Sequence, residues 1–116
     1  MMNKTELTAA VVARAKEFDA DLVAIGGAER FKGTVAEKIL PGFKSVICIA
    51  YRVLRGSRRG IEEGTTYYQY TTMAVENMEE TIMPMAQLKV AMMLEAEGFT
   101  ALPQRRHQQI MADGFQ

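Results

Sequence analysis

The sequence predicts a small α/β (α+β) domain, with a three-stranded sheet, flanking helices and one long helix kinked at a proline. Three observations carry this. An apolar stripe with helical spacing opens the chain, the run SVICIAYRV at 45–53 reads as a buried strand, and a long helical stretch after Thr66 contains Pro84. At 116 residues with 48% hydrophobic content, the chain is one domain or less.

The first helix is expected over 5–18. Leu7, Val11, Ala15, Phe18 and Leu22 follow at spacings of three or four and form one apolar stripe. Asn3 is placed to cap its start, with Glu6 three residues on. Asp19 and Asp21 break the pattern. The run 22–25 then reads as a short buried strand, entering a positive-φ turn at Gly26-Gly27.

Thr34 and Glu37 have capping-box spacing, so a short helix is expected to Leu40, stopped by Pro41-Gly42. The next strand, 45–53, is continuously apolar and β-branched, which suits a central position covered on both faces. A polar loop rich in Gly and Arg follows over 55–64. Thr66 and Gln69 repeat the capping-box spacing and open the long helix, which extends to about Glu97. Thirty-one residues at about 1.5 Å each would extend roughly 46 Å, more than a chain this short can cover. With Pro84 near the middle, two helices or one sharp kink is the expectation. Gly98 ends the helix, 99–102 reads as a third strand stopped by Pro103, and 104–116 has no clear period and is expected to fray. Three strands fall short of the usual five or six, so the single domain at 1–116 is expected either to be incomplete or to gain strands from a partner.

Composition excludes several function classes. Lys+Arg and Asp+Glu both total 14, so no global field argues for nucleic acid or an anionic membrane. No apolar run approaches the roughly 20 residues of a membrane span, and the N-terminus is amphipathic rather than signal-like, so a cytoplasmic location is expected. Cys48 is the only cysteine. It permits no intrachain disulfide and cannot supply the four thiolates of a cubane cluster. Inside the run VICIA it reads as a buried, inert thiol. One histidine, His107, makes a self-contained zinc site improbable.

Four features remain as candidate chemistry. Arg52, Arg55, Arg58 and Arg59 can clamp a phosphate ligand, although Glu62 and Glu63 would partly neutralise the cluster and the loop reads more readily as solvated. No aromatic residue is interleaved there, which argues against single-stranded nucleic acid. Tyr67, Tyr68 and Tyr70 crowd a helix start, where a phenol can donate a proton or stack on a planar cofactor, or simply pack. Met73, Met78, Met83, Met85, Met92 and Met93 share one helical stretch, which suits a core or a homodimer surface over 73–93. Arg105, Arg106 and His107 follow the third expected strand, a position that suits a ligand-facing role in an open α/β sheet and equally an exposed tail. Gly26-Gly27 lacks the spacing of either Gly-rich phosphate motif.

The runs ADLVAIGGAERF, LPGFKSVICIAYRV, YYQY and MMLEAEGFTALP, in this order, resemble the N-terminal region of the epoxyqueuosine reductases, relatives of the corrinoid iron–sulfur reductive dehalogenases. The matching residues are 21–26, 40–50, 67–70 and 94–101. The resemblance implies part of a nitroreductase-like cobalamin-binding domain, and Tyr67, Tyr68, Tyr70 and Arg105 are the residues we would expect to line the cofactor. It also implies a C-terminal domain carrying two four-iron–four-sulfur clusters. This sequence ends at Gln116 without cluster cysteines, so it is expected to be an N-terminal fragment, inactive alone. The family places an acidic proton donor shortly after its third strand, where this chain has Gln104, an amide that cannot act as a general acid. Two other readings stand beside this one: a self-associating interaction module, and a small phosphate-ligand-binding domain using the arginine loop.

Overall fold

The computed structural model describes residues 2–34, 36–56 and 75–104. In them the elements run α1 (Lys4–Glu17), β1 (Leu22–Gly27), a 3-10 turn (Ala28–Phe31), α2 (Ala36–Ile39), β2 (Ser45–Ala50), a π-helical turn (Met78–Ile82) and α3 (Met83–Ala96).

α1 begins and ends on local chemistry. Asn3 Oδ1 accepts from the Glu6 N–H at 2.8 Å, and the Glu6 carboxylate accepts from the Asn3 N–H at 3.0 Å, closing the capping box. At the far end Asp19 sits at φ 68°, a left-handed conformation that Asp tolerates better than most residues. The Asp19 and Ala20 N–H groups thereby reach back to the Lys16 and Ala15 carbonyls. Gly98, at φ 96°, closes α3 in the same way, with its own N–H on Glu95 and that of Phe99 on Leu94. α2 starts on a displaced version of its expected box. The Thr34 hydroxyl accepts from Ala36, while the Glu37 carboxylate accepts from Gly33 at 2.7 Å rather than from Thr34. Gly42 follows its end at φ 79°.

The sheet differs from expectation. Among the described residues it is a two-stranded antiparallel hairpin in which Leu22 pairs with Ala50 and Gly27 with Ser45. The expected third strand at 99–102 is irregular. Once Gly98 has turned the chain, these residues pair with no strand among the described residues, and β-propensity without a pairing partner makes no strand. Gly26-Gly27 is not a turn either. Both residues continue β1, opposite Val46 and Ser45, and neither has positive φ. β2 has β1 as its sole partner among the described residues, rather than lying centrally.

The helix around Pro84 is unbroken in its backbone from 75 to 96. Pro84 offers no N–H, and its ring would press on the carbonyl four residues back. The turn widens just before it: Met83 donates to Met78, five residues back rather than four. The proline is thus met by a π-helical turn at the head of α3, where the sequence predicted a break or a sharp kink.

α1 and α3 pack together over one face of the hairpin. Val11, Ala15, Ala20 and Val90 form the buried cluster, with Val23, Ile47, Ile49, Tyr51, Met93 and Leu94 packed against it. The buried apolar residues here are Ala and Val, and no large side chain is fully buried among the described residues. Among the described residues the core is thin.

Candidate functional site

Strand alternation divides the hairpin into two faces. Val23, Ile47 and Ile49 point inward to the helices. Their neighbours Leu22, Ala24 and Gly26 pair with Ala50, Cys48 and Val46 and share the outward face. All six outward residues are apolar or small, with no charged side chain among them. Leu22 is 70% exposed and Ala24, Cys48 and Ala50 are exposed, while Gly26 and Val46 at one end of the face are half-buried. An antiparallel sheet facing water normally alternates polar side chains outward. This one does not.

Cys48 lies in the middle of that face and is exposed, not buried. Every neighbour in VICIA is apolar, so the run cannot say which parity faces the helices. The packing of Ile47 and Ile49 does, and it sends Cys48 the other way.

Side chains fasten the rim of the hairpin. Asp21 accepts from the Arg52 N–H at 2.8 Å, with the Arg52 guanidinium 3.8 Å from the same carboxylate. The Asp21 N–H extends the ladder to the Ala50 carbonyl at 2.9 Å. Arg52 thus lies beside Asp21 with its side chain still 69% exposed, and Arg55 is exposed. Tyr51 donates its hydroxyl to the Phe18 carbonyl at 2.7 Å, satisfying the end of α1. Burial pushes the Tyr51 phenol above its ordinary 10.0, and the charges of Asp19 and Asp21 push the same way.

α3 carries a second exposed apolar set. Met85, Leu88 and Met92, at spacings of three and four, are 44%, 46% and 53% exposed, whereas Ala86, Val90 and Ala91 on the other side are buried. Met78, Met83 and Met93 are half-buried. The methionines therefore divide between packing and surface, and Met73 lies outside the described residues. In the first half of α3, Gln87 donates its amide to the Gln104 carbonyl at 2.6 Å, and the Gln104 amide turns to the Pro103 carbonyl at 3.1 Å. Gln104 thus fastens the segment after α3 onto the helix.

Tyr67, Tyr68, Tyr70 and Arg105, together with Arg58, Arg59, Arg106 and His107, lie outside the described residues, as does the second capping box at Thr66 and Gln69. Among the described residues no group of three or more His, Cys, Asp or Glu is placed to hold a metal, and no helix is long and apolar enough to cross a membrane. The outward hairpin face and the Asp21–Arg52 clasp were missed from sequence. The signal for the face was the parity 22, 24, 26 against 46, 48, 50, legible only once β1 and β2 are paired.

Comparison of the chain with family models, with curated proteins and with solved structures returns no match.

Proposed function

We propose that the chain supplies one layer of a larger corrinoid iron–sulfur reductase-like protein of the epoxyqueuosine reductase type, contributing part of a cobalamin-binding domain and doing no catalysis alone. The observation that carries this reading is the uncharged outward face of the hairpin. A sheet with apolar side chains on both faces is built to lie between two layers, and among the described residues one layer is present. The resemblance then supplies the kind of protein to which such a layer belongs. Three of its four segments contain β1, β2 and the end of α3, elements of this same layer. In this reading Tyr67, Tyr68, Tyr70 and Arg105 line the corrin, and the cluster domain that feeds it electrons is a separate part. Titrating the purified chain with cobalamin tests it: the corrin absorption bands are expected to shift, and no shift at high micromolar protein removes cofactor binding by this chain.

A second reading is favoured by Met85, Leu88 and Met92, the exposed stripe on α3. In it the chain is an interaction module that pairs with a copy of itself through the 73–93 helical region. Sedimentation over a wide concentration range decides between monomer and dimer. A dimer that Met85→Lys and Met92→Lys return to monomer supports this reading, and a monomer at every concentration removes it.

A further inference from the structure

We draw no further inference here: the strongest candidate, the outward face of the β1–β2 hairpin around Cys48, belongs to the site already described, and nothing in the structure shows what covers it.

Discussion

The inward and outward faces of the β1–β2 hairpin are built from similar residue types and lie in different surroundings. Ile47 and Ile49 rest on Val11, Ala15 and Val90, while Cys48 between them, with Ala24 across the ladder, faces open space. Side chains one residue apart along a strand thus differ in what a substitution should do, although their hydropathy does not predict it. An apolar strand run reports that both faces are suited to burial. Which face is covered depends on the layers the chain itself provides.

The largest effect should come from charging the covered side. Ala15 has no exposed surface, so Ala15→Asp places an unpaired carboxylate in the core and is expected to cost about 3 kcal/mol or more. Circular dichroism should record loss of the cooperative thermal transition; a transition unchanged in midpoint would mean that α1 does not pack on the hairpin as described.

The comparison sharpens on the adjacent pair. Ile49→Ala should lower stability by about 2 kcal/mol through lost packing, while Cys48→Ser, on the uncovered face, should change it by less than about 0.5 kcal/mol. Urea denaturation of both variants measures the difference, and equal losses would erase the distinction between the faces.

Tyr51→Phe removes the hydroxyl that Phe18 accepts from and should cost about 1 kcal/mol. The phenol also confers a pH dependence. Its folded pKa lies above the unfolded value of 10.0, so its protonated form is favoured by folding. That contribution is fully present below pH 10.0 and declines as pH rises through the folded value. Chemical denaturation on either side of this window should find the wild-type chain losing stability in alkali, and Tyr51→Phe losing less.

The end caps belong to neither face and should give effects of similar or smaller size. Asn3→Ala should cost about 1 kcal/mol through the lost capping box. Gly98→Ala should cost about as much, because φ 96° strains any side chain there. Thermal melts of the two variants check both figures, and an unshifted midpoint in either one contradicts its cap.

What could be read from the sequence was local. Asn3 and Glu6 announce the start of α1, and Gly98 announces the end of α3, because caps and positive-φ stops act within a few residues. The run containing β2 was legible from its apolar, β-branched content. The errors came where the answer depended on a distant partner. Gly26-Gly27 carries turn chemistry, yet pairing with Val46 and Ser45 holds it in a strand. The segment at 99–102 is apolar enough for a strand and pairs with none among the described residues. Cys48 reads as buried in a run where every neighbour is apolar, and its exposure follows from which parity α1 and α3 cover. Pro84 was legible as a disturbance, but that the helix would answer with a π-helical turn rather than a break was not. Of the candidate site, the tyrosine cluster and Arg105 fall outside the described residues, whereas the apolar outward face emerged from strand pairing.

Cys48, the single cysteine of the chain, sits in the middle of that face and so reports on it directly. The most direct measurement is the rate at which a maleimide alkylates Cys48 in the dilute folded chain, set against the rate in urea. A folded rate within a few-fold of the urea rate is predicted, since Cys48 is exposed on the outward face. Strong protection in the dilute folded chain would contradict the account, because the face would then already be covered within the chain itself.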